Sequence, residues 1–249
     1  NNDGSVTEVK VKASTSMLYN ADLTIVAVKS GQLSDIIGNL PKETPIIFLQ
    51  NGLAHYDLVS SLSWEHMAFG SAQFGAYKVS DNIISHRGRG VLKLAYLHKE
   101  ASNDFLKPLL EMNHDDFPVV FEADAEHMLI EKAIFNSLIN PLTALLCLKN
   151  GELLTNEHAY KLLKRIHIEL EQCFPNHCPP FEEVIALCKR TALNTSSMLS
   201  DHLAKKKSEA PAILGALIKR AERKGVQLNT LVTIYELVLA KELQEDWSI

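Results

Sequence analysis

The stretch Leu129-Ile-Glu-Lys-Ala-Ile-Phe-Asn-Ser-Leu-Ile-Asn-Pro-Leu-Thr-Ala-Leu-Leu-Cys-Leu-Lys-Asn-Gly-Glu152 constrains this chain more than any other. It is mostly apolar, and Lys132, Asn136 and Asn140 interrupt it at every fourth position. On a helix these three line one face, each rotated by about 40° and raised by about 6 Å from the last. A solvent-facing stripe would carry charges rather than two carboxamides and one ammonium. Leaving a buried polar group unpartnered costs about 1–3 kcal/mol, so the ladder calls for a partner in the protein or in a ligand. One asparagine alone reads as a core carboxamide bonded to nearby backbone, whereas three in register beside a proline point to a site. Pro141 lacks an amide proton and is expected to kink the helix just past Asn140, and Asn150-Gly151 supplies the stop signal.

The residues before this helix read differently from those after it. Val6 to Ala13 alternates like a half-exposed strand, and Leu23 to Val28 is a continuous apolar run of the kind found in buried parallel strands. A short helix over Ser30 to Leu40, closed by Pro41, leads to a second buried strand at Ile46 to Leu49. Strand, helix and strand at this spacing make a βαβ unit, whose ligands bind beyond the carboxyl ends of the strands. Lys29 and Asn51-Gly52 fall there, although alone they read as an exposed lysine and a turn. Phe69–Tyr77, Ile83–His86 and Val91–Leu97 read as further strands, Asn103 to Asn113 as a helix, and Phe117–Phe121 as an edge strand because of Pro118. His86 reads as a turn residue, and no strand-loop-helix G-x-G-x-x-G is present.

From about Asp124 the pattern is helical to the end. Helices are expected over Ala125–Lys149, Thr155–Cys173 (with Thr155 opening it), Phe181–Thr191, Pro211–Lys224 and Leu228–Glu245, with Pro175–Pro180 as a stiff linker and Gly225 as a break. Ser196 and Ser197, in the polar run Asn194–Asp201, read first as helix caps. The sequence thus predicts an α/β plus all-α architecture: residues 1–123 form a parallel-sheet domain, residues 124–249 a helical one, and the cleft between them is the default site.

Composition narrows the partners. With 249 residues, 46% hydrophobic, a full core can be buried, and a net charge of −5 leaves no basic footprint for nucleic acid. No apolar run reaches membrane-spanning length, and the polar opening Asn1–Ser5 is no signal peptide. Cys147, Cys173, Cys178 and Cys188 lack zinc spacing, so reduced thiols in a soluble, cytoplasmic protein are expected, with no metal. A small molecule or a protein is the expected partner.

Lys132-x-x-x-Asn136-x-x-x-Asn140-Pro-Leu-Thr-Ala144, then Asn150-Gly-Glu152, Ser196-Ser-Met-Leu199, Asp201 and Glu209, resembles the ketopantoate reductase family. Ala21 to Lys29 and Gln50-Asn51-Gly52 resemble that family's later Rossmann strands, and His86-Arg-Gly88-Arg-Gly90 its His-x-Gly-x-Gly turn. The resemblance covers nearly the whole chain. It implies a Rossmann-like cofactor domain, incomplete at its N-terminus, followed by a helical substrate and dimerisation domain. It also implies NADPH-dependent reduction of 2-dehydropantoate to (R)-pantoate, on the route to pantothenate and coenzyme A, by a possible homodimer joined through the helical domain. Carried over by residue, Lys132 is the general acid, and Asn51, Asn136, Asn140, Asn194 and Ser197 bind substrate, while Lys29, Asn51, the backbone at Ala76 and Glu209 hold the cofactor.

Two departures accompany the resemblance. The family's first strand, phosphate loop, first helix and the basic residue that selects the 2′-phosphate are not in this sequence, so a leading segment of roughly 50 residues is expected before Asn1. After Glu209, Ala210-Pro211-Ala212 and Leu214-Gly215 replace a more polar family segment. A related hydroxyacid dehydrogenase and a non-catalytic paralogue acting as a binding module are the alternatives.

Overall fold

The computed structural model describes residues 6–16, 21–98 and 104–245; the polar opening and the expected helix start at Asn103 lie outside them. Two compact units form: Asn1–Gln50 with Ser60–Met128, and Asn51–Val59 with Leu129–Ile249. The division falls at Met128/Leu129, against an expected boundary after residue 123, and the short segment 51–59 groups with the helical unit.

The first unit is built on a five-stranded sheet. Strand β1 (Thr24–Val26) leads through two short 3₁₀ turns and helix α1 (Leu33–Ile36) to β2 (Ile46–Phe48). Helix α2 (Ala54–Ser60) follows, then β3 (Met67–Ala72), β4 (Gly75–Ser80), β5 (Ile83–Gly88) and β6 (Leu92–Tyr96), helix α3 (Lys107–Leu110) and β7 (Val119–Phe121). The sheet order is β1-β2-β3-β6-β7, with β4 and β5 forming a separate two-stranded ribbon. β1, β2 and β3 are parallel, β6 runs antiparallel to β3, and β7 is parallel to β6. The reversal at β6 follows from the β4–β5 ribbon, which returns the chain to the sheet without a crossover helix. β2 is apolar throughout because both its faces are covered, and Ile47, Ala68, Leu94 and Leu106 pack into one core cluster. Among the described residues β1 and β7 are the outer strands, Ile25 and Phe121 on them are exposed, and Pro118 precedes β7, where no ladder donor is lost.

Three expectations fail here, each for a local reason. Val6–Ala13 is not a strand: its residues are exposed and none belongs to a sheet ladder among the described residues, and alternation without a ladder holds no strand. Phe69–Tyr77 is two strands, because the chain turns at Gln73-Phe74, where Gln73 N–H donates to the Val91 carbonyl at 3.0 Å. A Cβ on Gly90 would stand 2.2 Å from the Gln73 carbonyl oxygen, so the last glycine of the His-x-Gly-x-Gly turn is what lets β6 approach this corner. Of the helix expected over 103–113, the described part, from residue 104, is α-helical only over α3, which Pro108 opens.

The second unit contains α4 (Ala125–Leu146) from Leu129 onward, α5 (Glu152–Thr155), α6 (Glu157–Cys173), α7 (Phe181–Arg190), α8 (Ser197–Leu203), α9 (Ala216–Arg223) and α10 (Asn229–Glu245). Leu163, Ile166, Leu170, Val184, Leu217 and Leu231 are fully buried in it. The Glu169 carboxylate accepts from Thr230 and Leu231 N–H and so caps α10 from α6. Lys241 Nζ donates to the Ala144 carbonyl at 3.0 Å and the Leu145 carbonyl at 3.3 Å, closing the carboxyl end of α4. The expected opening at Thr155 is corrected to Asn156, whose Oδ1 accepts from His158 and Ala159 N–H, since the carboxamide reaches the free donors of the first turn. The expected helix from Pro211 begins as a π turn, Pro211–Gly215, ahead of α9, and Gly225 ends α9 at φ 70°. All four cysteines are free thiols. No helix among the described residues is long and apolar enough to cross a membrane.

Candidate active site

α4 runs unbroken through Pro141, so Lys132, Asn136 and Asn140 do stand at successive turns of one helix. Lys132 and Asn136 are partly buried and Asn140 is buried, among fully or nearly fully buried Ala133, Ile134, Leu138, Ile139 and Leu142. Burial holds the Lys132 ammonium well below the ordinary lysine range, to about 8, and the Glu209 carboxylate acts in the opposite sense.

Glu209 supplies the opposite charge that Lys132 feels. Its Oε2 accepts from Asn51 Nδ2 at 3.0 Å, and its backbone carbonyl accepts from the Ala212 and Ile213 amides of the π turn, both at 3.0 Å. Asn51 reaches it because Gly52 takes φ 81° and lies directly on that turn: a Cβ there would meet the Ala212 oxygen at 2.2 Å. Leu53 N–H donates to the same Ala212 oxygen at 2.8 Å. α2 is then fastened by Asp57, which accepts from Arg220 at 2.7 Å and Arg223 at 3.0 Å, with the Arg220 guanidinium 5.4 Å from the Tyr56 ring centre. The apolar Ala210–Gly215 replacement therefore leaves Glu209 held on both its side chain and its carbonyl.

Sequence reasoning missed His55. It stands on α2, is 1% exposed, and is held down to about 4 by burial first and the Lys132 charge second, so the imidazole is neutral at ordinary pH. Its signal was its place four residues after Asn51, one helical turn beyond the Asn-Gly corner.

The far end of the ladder has its own polar cluster. Thr143 is fully buried one turn past Asn140; its Oγ1 lies 2.9 Å from the Asn140 carbonyl and 2.7 Å from Ser196 Oγ. Ser196 is the cap of α8, accepting from Leu199 N–H at 3.1 Å, as the bland reading of that serine anticipates. Asn194 and Ser197 flank it and are exposed. Lys132, Glu209, Asn51 and His55 are thus brought together at one end, and Asn140, Thr143 and Ser196 at the other.

Lys29 and Ala76 belong to the first unit. Lys29 is exposed just past the carboxyl end of β1, and Ala76, on β4, pairs with His86. Between them in sequence, Gln50 Nε2 donates to the Val26 and Val28 carbonyls at 2.9 and 3.2 Å, tying the ends of β1 and β2. Those two acceptors fix the amide orientation and leave Gln50 Oε1 buried with no hydrogen-bond partner among the described residues. A cation and an unsatisfied acceptor at the carboxyl ends of parallel strands fit the hydroxyls and amide of a nicotinamide nucleotide. Among the described residues no group of three or more His, Cys, Asp or Glu side chains could hold a metal.

Comparison with known proteins identifies the family. The family model Ketopantoate reductase PanE/ApbA matches residues 2–99, and Ketopantoate reductase PanE/ApbA C terminal matches 124–242. The 2-dehydropantoate 2-reductase of Bacillus subtilis (strain 168) is 37% identical over 235 residues, covering 92% of this chain and 78% of that protein. That of Listeria innocua is 34% identical, over 90% and 75%. A crystal structure titled as a probable 2-dehydropantoate 2-reductase panE from Bacillus subtilis superposes with a TM-score of 0.81 at 36% identity, over 92% of this chain and 80% of that one. A D-mandelate dehydrogenase in complex with NADH superposes at 0.79 with 25% identity, over 90% and 80%.

A Rossmann-type sheet unit followed by a helical unit, with these matches, places the chain in a class, the nicotinamide-dependent oxidoreductases. Within that class the two matched models and the relatives above 30% identity decide the matter: the chain belongs to the ketopantoate reductase family.

Proposed function

We propose that this enzyme reduces the ketone of 2-dehydropantoate to (R)-pantoate with NADPH, in pantothenate and coenzyme A biosynthesis. The observation that carries the reading is Lys132, an ammonium brought to about 8 by burial and standing on the Asn136/Asn140 face of α4 beside Glu209. When bound, NADPH supplies the hydride that adds to the carbonyl carbon. As that carbon becomes tetrahedral, negative charge gathers on its oxygen, and Lys132 Nζ–H donates first a hydrogen bond and then the proton. A lysine near 8 is still mostly charged at pH 7 yet gives up its proton far more readily than an ordinary one.

Asn136 and Asn140, one and two turns on, hold the substrate's hydroxyl and carbonyl oxygens, and Asn194 and Ser197 hold its carboxylate end. Asn51 and Glu209 serve substrate and cofactor together, with Lys29 and the backbone at Ala76 on the cofactor. In this reading residues 1–123 make the cofactor domain, apart from 51–59, and residues 124–249 the substrate domain. The reading includes a homodimer through the helical domain, supported by exposed Val232, Leu237 and Leu243 on α10, and a cytoplasmic location, supported by four free thiols.

The test is initial-rate turnover of 2-dehydropantoate by the complete protein with NADPH. Lys132→Ala removes a positioned proton donor and lowers kcat by about 10²–10⁴. A rate within twofold of the unaltered enzyme would exclude Lys132 as the acid.

A further inference from the structure

Asn150-Gly151, the segment that stops α4, does more than end a helix. Its two amides point in succession at the loop between α7 and α8: Asn150 N–H donates to the Asn194 carbonyl at 3.2 Å and Gly151 N–H to the Ala192 carbonyl at 3.1 Å. The Asn150 side chain adds a third contact, Nδ2 donating to Thr191 Oγ1 at 3.0 Å, and that hydroxyl in turn donates to the Leu187 carbonyl at 2.8 Å. The Thr191 hydroxyl is therefore spoken for on both sides, which fixes the orientation of the Asn150 amide. Gly151 lies so close that a Cβ would stand 2.6 Å from Ala192 Cβ and 2.9 Å from its Cα. Five residues past Thr191, the Ser196–Thr143 hydroxyl contact of 2.7 Å grips the other end of the same loop.

Residues 143–151 therefore hold the loop at 191, 192, 194 and 196, while leaving the Asn194 side chain exposed. A loop free to drift would not keep one carboxamide in place relative to α4; this one is bonded to the end of α4 itself. We propose that Asn150 and Gly151 are positioning residues for substrate binding: they set the place of Asn194 relative to the Asn136/Asn140 ladder without touching substrate. The inference rests on the reading of Asn194 as a ligand of the keto acid's carboxylate end.

Gly151→Ala drives its new methyl into Ala192 and moves the loop. Because Asn194 holds a part of the substrate remote from the reacting ketone, the effect falls on binding shared by ground and transition states. KM for 2-dehydropantoate rises on the order of tenfold, the loss of one hydrogen bond to a charged group, while kcat and KM for NADPH stay within about twofold. Asn150→Ala, which keeps the backbone bonds and loses the contact with Thr191, gives a smaller rise in the same constant and secures the test if Gly151→Ala does not fold. Adding Ala192→Gly to Gly151→Ala removes the struck methyl but leaves the approach to the Cα of residue 192 at 2.9 Å, and so recovers part of the affinity. A merely structural role would lower thermal stability and leave the split between KM and kcat unmoved. The control is Asn194→Ala: if it raises KM and neither Gly151→Ala nor Asn150→Ala does, the positioning role is overturned. If Asn194→Ala itself leaves KM unchanged, the reading of Asn194 fails and the inference falls with it, a result recognisably different from the first.

Discussion

The value of about 8 for Lys132 makes a direct kinetic claim. Reduction needs the ammonium, so kcat/KM, which reports the free enzyme, follows the charged fraction of Lys132. At pH 7 that fraction is about 90%, and at pH 9 about 10%, whereas an ordinary lysine at 10.5 would still be about 97% charged at pH 9. The rate of ketone reduction therefore falls about tenfold between pH 7 and pH 9, and the reverse oxidation, which needs the neutral amine to take the proton, rises by the same factor. Glu209→Gln removes the charge that opposes the burial of Lys132, so the alkaline limb moves to lower pH. In Lys132→Arg the guanidinium keeps its proton throughout, and a slow residual rate loses its dependence on pH. The assay is initial rates in both directions at constant ionic strength, with a deuterated cofactor to establish that hydride transfer limits the rate. A kcat/KM for reduction that stays level to pH 9.5 while the isotope effect persists would refute the assignment of Lys132 as a buried acid of lowered pKa.

Stability should respond at three other places. His55 binds its proton at about 4 when folded and at 6.5 when unfolded, so between these values the unfolded chain holds more protons and stability is lost as pH falls. The full cost below pH 4 is about 3 kcal/mol, and urea titrations of His55→Leu should lack that part of the acid slope; identical slopes in both proteins would remove His55 from the account. Gly52→Ala forces a side chain into φ 81° and against the Ala212 oxygen, at a cost of about 1–3 kcal/mol read from the denaturation midpoint, and a change under about 0.5 kcal/mol would contradict the close approach. Thr143→Val keeps the shape but removes the hydroxyl between Ser196 and α4, which should cost about 1 kcal/mol in the same measurement; a neutral result would mean that the 2.7 Å contact carries no net stability.

What the amino-acid order discloses, and what it hides, follows from how far apart the interacting residues lie. The ladder on α4 was legible because its period is local: every fourth residue of an apolar run is polar, and the helix needs nothing distant to put them on one face. β2 was legible because a strand covered on both faces must be apolar throughout, as Ile, Ile and Phe are. Val6–Ala13 shows the limit of such patterns, since period two says which face a strand would present and nothing about whether a neighbour exists to hold it. The same limit hid the charge that opposes Lys132. Asn51 and Glu209 are 158 residues apart, and Asp57 is 163 and 166 residues from the arginines that fasten α2. No local rule links an Asn-Gly turn to a glutamate at that distance, and a seven-residue helix reading Ala-His-Tyr-Asp-Leu-Val-Ser has too short a period to announce itself. The need for a partner could nonetheless be deduced beforehand, because a buried ammonium without one is too costly to persist. The sequence thus exposes the demand, while only the fold, by folding segment 51–59 onto the helical unit, identifies the group that answers it.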